Sequence, residues 1–155
     1  RIMESVALND ITFKMRDPAR MVEFEMSIDG TLVNRQRSDG VVVCTPTGST
    51  AYALSAGGPL IAPDLHAVGI VSICPHTLSY RPIVVDARHQ IEIRPVEKSR
   101  GGGVVSFDGQ LNQPLEFGDV LTISKYEHEI RLIHPAGHDH YSLLRDKLCW
   151  SEQRF

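Results

Sequence analysis

Between Val22 and Ile28 the chain alternates strictly, with Val22, Phe24, Met26 and Ile28 apolar and Glu23, Glu25 and Ser27 polar. A period of two is that of a strand with one face buried. Asp29-Gly30 follows at once. An Asp-Gly pair accepts the positive φ angles of tight hairpin turns, so Leu32 and Val33 are expected to return antiparallel. The same dipeptide recurs at Asp39-Gly40 and Asp108-Gly109. Further strands are predicted over residues 6–15, 41–44, 68–73, 83–85, 91–94, 104–107, 120–124 and 129–133. They are short, rich in Val and Ile, and separated by Gly, Pro, Asp or Asn. Two helices are expected. One covers residues 49–56, with Ser and Thr at its start and Gly57-Gly58-Pro59 at its end. The other covers residues 140–148, where Leu143, Leu144 and Leu148 share roughly one side. Gly101-Gly102-Gly103 reads as a flexible turn. The fold that results is mainly β: two layers, sandwich-like, with one or two short helices rather than alternating β/α units.

Composition narrows the function classes. At 155 residues, 42% hydrophobic and 23% charged, the chain can bury one substantial core, and residues 1–155 are read as one domain. A net charge of −3 removes the electrostatic case for nucleic-acid binding, which needs Lys and Arg gathered on one face. Cys44, Cys74 and Cys149 are odd in number and widely spaced, giving neither a disulfide framework nor a CxxC metal site. A reducing cytoplasm is therefore the expected compartment. The uncharged run 67–74 is far too short to span a bilayer, so no membrane association is expected. The chain starts at Arg1, without Met, and enters an apolar alternation within a few residues, which reads as a fragment of a longer protein.

The segment with most chemical content is Arg37-Ser-Asp-Gly-Val-Val-Val-Cys-Thr-Pro-Thr-Gly-Ser-Thr-Ala-Tyr-Ala-Leu-Ser-Ala-Gly-Gly-Pro59. A buried strand delivers the chain into Thr45-Pro46-Thr47-Gly48, where Pro stops pairing and Gly permits a bend. A helix starting there would offer free amides, and with the hydroxyls of Thr47, Ser49 and Thr50 these suit a phosphate or a ribose. Any strand-turn-helix junction uses the same residue types, so a purely structural reading stands beside this one. No GxxxxGK[ST] loop, GxGxxG fingerprint or GxSxG elbow is present. His134, His138, His140 and Cys149 lie near one another in sequence but lack a recognised zinc spacing, and no metal site is expected from them.

The run from Arg37 to Pro59, above all Thr45-Pro-Thr-Gly-Ser-Thr-Ala-Tyr52, resembles the signature of the NAD kinase family, its bacterial members most of all. The likeness continues in Ala7-Leu8-Asn9-Asp10, in Pro75-His76-Thr77-Leu78 with Arg81-Pro82, and in Leu132-Ile133-His134-Pro135. It implies that Asn9 and Asp10 hold the adenosine part of NAD. An amide can both donate to and accept from an adenine edge, and a carboxylate accepts from ribose hydroxyls. Asp39 is implied at the nicotinamide end, with Thr50, Ala51, Tyr52 and Ser55 lining the pocket. Arg37 and Arg20 are candidate partners of phosphate, since a guanidinium makes paired charge-assisted bonds. A solvated charge at a strand end is the alternative for both. Asp108 and Gln110, in an Asp-Gly turn, complete the implied site.

The family's Gly-Gly-Asp-Gly motif, whose Asp is thought to take the proton from the ribose 2′-hydroxyl, does not occur in this sequence. No catalytic residue is therefore assigned to this chain, and the ATP-binding half is expected upstream. The resemblance implies a whole enzyme that transfers the γ-phosphoryl of ATP to the 2′-hydroxyl of the adenosine ribose of NAD, with Mg²⁺ accompanying ATP. It also implies a homodimer or homotetramer. Two other readings stay open: a non-catalytic dinucleotide-binding module, and a related lipid kinase domain.

Overall fold

The computed structural model describes residues 3–16, 21–77, 79–96 and 102–149. The described strands are β1 (Asp10–Met15), β2 (Val22–Ile28), β3 (Thr31–Ser38), β4 (Gly40–Cys44), β5 (Ala67–Ile73), β6 (Ile83–Asp86), β7 (Ile91–Pro95), β8 (Gly103–Phe107), β9 (Leu111–Leu115) and β10 (Leu121–Ile123). They form two antiparallel sheets, one of six strands ordered β6-β5-β4-β1-β8-β9 and one of four ordered β10-β7-β2-β3. The expected mainly β, two-layer architecture is what the chain adopts.

The alternation read in Val22–Ile28 works as anticipated. Val22, Phe24 and Met26 are buried and the residues between them are half-buried. Phe24 meets Phe13 of β1 edge to face, with ring centroids 5.5 Å apart and planes at 83°, so one aromatic pair joins the two sheets. Around it pack Met15, Met26, Val41, Val43, Ile70, Ile91, Ile93 and Val105. Sheet-on-sheet burial of this kind is the main source of stability for a two-layer fold.

Two of the three Asp-Gly pairs are hairpin turns with both residues at positive φ: Asp29-Gly30 between β2 and β3, and Asp108-Gly109 between β8 and β9. The third, Asp39-Gly40, carries the chain from β3 in one sheet to β4 in the other.

Several sequence expectations are corrected. The strand over residues 6–15 begins only at Asp10, because Leu8 and Asn9 bend and their amides turn to a side chain instead of a ladder. Residues 129–133 are not a strand; Ile130 and Ile133 are largely exposed, and among the described residues no strand pairs with this segment. Strand β9 has no signature in the sequence because Asn112, Gln113 and Pro114 break its apolar pattern. At the sheet edge those residues are tolerated. The helix over residues 49–56 is instead a 3₁₀ turn, Thr47–Thr50, followed by the single turn α1 (Tyr52–Ser55). The helix α2 (His140–Leu148) has the expected bounds, capped by the Asp139 carboxylate on the amides of Tyr141 and Ser142. Only Leu144 on it is buried, while Leu143 and Leu148 are exposed. Gly103 opens β8 against the Phe13 ring rather than lying in a loose turn, and Gly101 lies outside the described residues.

Candidate functional site

Antiparallel pairing on both sides of β1 fixes where the site lies. The start of β1 at Asp10 stands beside the end of β4 at Cys44 and the end of β8 at Phe107, so three chain ends meet at one edge of the larger sheet. From there β4 runs into Thr45 and β8 into the Asp108-Gly109 turn. The face of this sheet turned away from the four-stranded sheet carries two things. Under α1 a small apolar group forms from Val42, Cys44, Ala53 and Val71. Beside it opens a cleft of about 260 Å³ lined by Asn9, Asp10, Thr12, Lys14, Ala51, Tyr52, Ser106, Asp108 and Gly109.

The cleft is built on a backbone clamp. The Asp108 carboxylate accepts the amides of Leu8 at 2.7 Å, Asn9 at 2.7 Å and Asp10 at 3.0 Å. In return the Asp108 amide donates to the Asp10 carbonyl at 3.0 Å. From the other side the Thr45 hydroxyl donates to the Leu8 carbonyl at 2.6 Å, and the Thr45 amide to the Asn9 carbonyl at 2.9 Å. Gly48 closes the arrangement, because any Cβ there would collide with the Asn9 backbone. The bend at Leu8 and Asn9 is thereby held by two segments distant in sequence.

Two carboxylates share this edge, and their surroundings shift them in opposite directions. Burial pushes the Asp10 carboxyl up, against a hydrogen bond from the Thr12 hydroxyl at 3.2 Å, and the nearby Asp108 charge pushes it further up. Burial also works to raise Asp108, but the amides of Leu8, Asp10 and Asn9 together outweigh it and hold this carboxyl below the ordinary range. Asp108 is a fixed structural anion, and Asp10 is the acceptor left facing the cleft. Burial raises the Cys44 thiol, which keeps it neutral under α1.

The free amides expected at the Thr47–Thr50 turn are in large part used within it. The Gly48 amide donates to the Thr45 hydroxyl at 3.1 Å, the Ser49 amide to the Thr45 carbonyl at 3.0 Å, and the Ala51 amide to the Gly48 carbonyl at 2.9 Å. The Ser49 hydroxyl, fully buried, donates to the Pro46 carbonyl at 2.7 Å and accepts the Ile61 amide at 3.0 Å. These groups shape the turn that presents Ala51 and Tyr52.

Of the residues singled out in the sequence, Asn9, Asp10, Ala51, Tyr52 and Asp108 line the cleft. Thr50 and Gln110 adjoin lining residues in sequence but do not line the cleft themselves, and Ser55, at the end of α1, does not line it either. The Thr50 hydroxyl donates to the Thr47 carbonyl, and the Gln110 amide closes the turn on Phe107. Arg37 and Asp39 are exposed at the other end of the ladder, where the Met15 amide donates to the Asp39 carbonyl at 3.2 Å. That point is five steps along β1 from Asp10, roughly 17 Å of strand. Arg20 lies outside the described residues. Four lining residues were not anticipated: Thr12, Lys14, Ser106 and Gly109. The first two were legible, since Asp10, Thr12 and Lys14 form the polar half of a period-two strand. Ser106 faces Thr12 only through the β1–β8 register, which no local pattern reveals.

The fold and this clamp can be set beside known proteins. A family model described as the ATP-NAD kinase C-terminal domain matches residues 8–135. The chain belongs to this family. It is 54% identical over 147 residues to an NAD kinase of Nitrosococcus oceani, covering 95% of this chain and 50% of that protein. With an NAD kinase of Hydrogenovibrio crunogenus it shares 45% over 152 residues, covering 98% and 52%. Among solved structures, an NAD kinase from Archaeoglobus fulgidus in complex with ATP superposes with a TM-score of 0.71 at 36% identity, over 78% of this chain and 46% of that one. A yeast NADH kinase complexed with NADH gives 0.86 at 28% identity, over 95% and 45%. The chain thus spans about half the length of the curated relatives it matches.

As an ATP-NAD kinase C-terminal domain, the chain has its matched stretch begin at the Leu8 bend and run through all ten described strands. Among the described residues no three His, Cys, Asp or Glu side chains converge to hold a metal, and no helix is long and apolar enough to cross a membrane. The His134 and His138 rings stack at 3.8 Å on the surface instead of converging on a point.

Proposed function

We propose that this domain is the dinucleotide-holding half of an NAD kinase, and that the whole protein transfers the γ-phosphoryl of ATP to the 2′-hydroxyl of the adenosine ribose of NAD. The observation that carries this reading is the meeting of Asn9 and Asp10 with Ala51 and Tyr52 at one cleft. The two pairs lie some forty positions apart in sequence, and family resemblance assigns both to the dinucleotide. Their chemistry suits the task. Asn9 offers an amide to an adenine edge, Asp10 an oxygen to ribose hydroxyls, and Tyr52 an aromatic wall with a hydroxyl.

This half contributes alignment. Phosphoryl transfer relies chiefly on positioning and on neutralising phosphate charge, so a rigid seat for the acceptor ribose is a direct contribution to rate. The clamp on residues 8–10 supplies the rigidity. The general base and the ATP site belong to the part of the whole protein beyond this domain. The described residues do not fit a Mg²⁺ site: both Asp108 oxygens are taken by backbone amides, leaving Asp10 alone. Mg²⁺ bound with ATP is assigned to the other half. Asp39, far along the sheet from Asn9, is assigned to the nicotinamide end and Arg37 near it to phosphate, and the whole protein is read as a cytoplasmic homodimer or homotetramer.

The test is NADP formation from NAD, ATP and Mg²⁺ by the whole protein and by its Asn9→Ala and Tyr52→Ala variants. A higher KM for NAD with the KM for ATP within about twofold is expected. Variants with wild-type NAD kinetics would remove the cleft from the reaction.

A further inference from the structure

The cleft wall also includes Lys14, the one cationic side chain among its lining residues, against the carboxylates of Asp10 and Asp108. Along β1 the side chains of Asp10, Thr12 and Lys14 follow one another on the same face, the ends some 13 Å apart at about 3.3 Å per residue. The neighbours of Lys14 across the ladder are Gly40 on β4 and Val104 on β8, neither of which carries charge. Nothing larger than glycine fits at position 40, because a Cβ there would strike the Phe13 carbonyl and the Lys14 stem. Among the described residues no hydrogen bond or ion pair engages the Lys14 ammonium. It stands exposed beside the cleft, on a flexible stem and with a bare glycine at its flank.

Electrostatics sets a problem that this placement answers. A dinucleotide carries its negative charge in the central phosphates, whereas the edge holding Asn9 also holds two carboxylates. Asp108 is answered by three amides, but Asp10 is not, so the adenosine end suits a neutral group and repels an anion. A ligand seated on Asn9 and Asp10 and running along the β1 face passes the hydroxyls of Thr12 and Ser106 and then reaches Lys14. We infer that Lys14 is the phosphate contact of this cleft, its ammonium donating to the phosphate oxygens of the dinucleotide that Asn9 and Asp10 hold by its adenosine. The inference rests on the dinucleotide reading above and adds to it the group that reads ligand charge.

The test compares two ligands on the whole protein by calorimetry: NAD, which carries the phosphates, and adenosine, which does not. For Lys14→Met, NAD should weaken about ten- to a hundred-fold, the worth of a charge-assisted bond, while adenosine binds as in the wild type. Lys14→Arg should recover most of the loss for NAD. An equal loss for both ligands would show a packing role, and unchanged NAD affinity in Lys14→Met would show no role; either overturns the inference. Wild-type protein that binds adenosine but not NAD overturns it as well. Wild-type protein that binds neither overturns the dinucleotide reading, and this inference falls with it.

Discussion

The Asp108 carboxylate accepts the Asn9 amide at 2.7 Å across 99 positions of sequence. One short bond thus ties the β8–β9 turn to the residue proposed to meet adenine. It also explains why an Asp at the first position of a hairpin turn, where Asn would serve the backbone equally well, is used here as an anion. Three amides point at it, two from the bend before β1 and one from the first residue of that strand.

Replacing Asp108 by Ala is expected to leave those three donors without their partner and to cost on the order of 1–3 kcal/mol in unfolding free energy. The dependence on pH has a definite sign. The folded-state pKa of Asp108 is lowered, so its contribution is fully present above the unfolded carboxylate value near 4 and is lost as pH falls through the lower folded value. Urea melts of wild type and Asp108→Asn between pH 3 and 7 check this. The difference between the two proteins should shrink toward the acid end.

Asp10 should behave in the opposite sense. Its folded pKa is raised by burial, so at neutral pH the folded state bears the cost of holding the charge. Asp10→Asn keeps an oxygen for the Thr12 hydroxyl and is expected to raise the melting temperature at pH 7 while weakening NAD binding. The stability gain should fade as pH falls through the folded pKa, where Asp10 is protonated in the wild type. A variant less stable than wild type at pH 7 would contradict the assignment.

Gly48→Ala tests the close approach that seats the Asn9 backbone. A methyl group at position 48 would overlap the Asn9 carbonyl, so the bend or the 3₁₀ turn must shift. Overpacking of this kind costs typically about 1–3 kcal/mol, and here the displaced atoms belong to the cleft. Thermal melts should show the loss, and NAD affinity should fall with it. Gly109→Ala serves as a comparison: its Cβ would meet nothing within 4 Å, and its strain comes only from φ +68°.

Much of this fold was legible because β-sheet packing writes itself locally. The alternation of Val22, Phe24 and Met26 named a buried face, and Asp29-Gly30 and Asp108-Gly109 named their turns. Elements whose neighbours settle their fate were harder. Residues 129–133 have strand-like composition yet gain no partner, and β9 has poor composition yet gains β8. The site divides in the same way. Asn9, Tyr52 and Asp108 stood in motifs, but the use of Asp108 as a clamp and the pairing of Thr12 with Ser106 follow from the β1–β8 register, which arises only when distant strands meet.

The most direct measurement of the central claim is a titration of the 155-residue chain with NAD, followed through backbone amide shifts in NMR. If the cleft is the dinucleotide seat, the amides of Asn9, Asp10, Ala51, Tyr52 and Gly109 should shift together and saturate, while those of the exposed 129–133 segment stay still. Saturable binding whose shifts cluster away from these residues, or a well-folded chain with no shifts at millimolar NAD, would contradict the account.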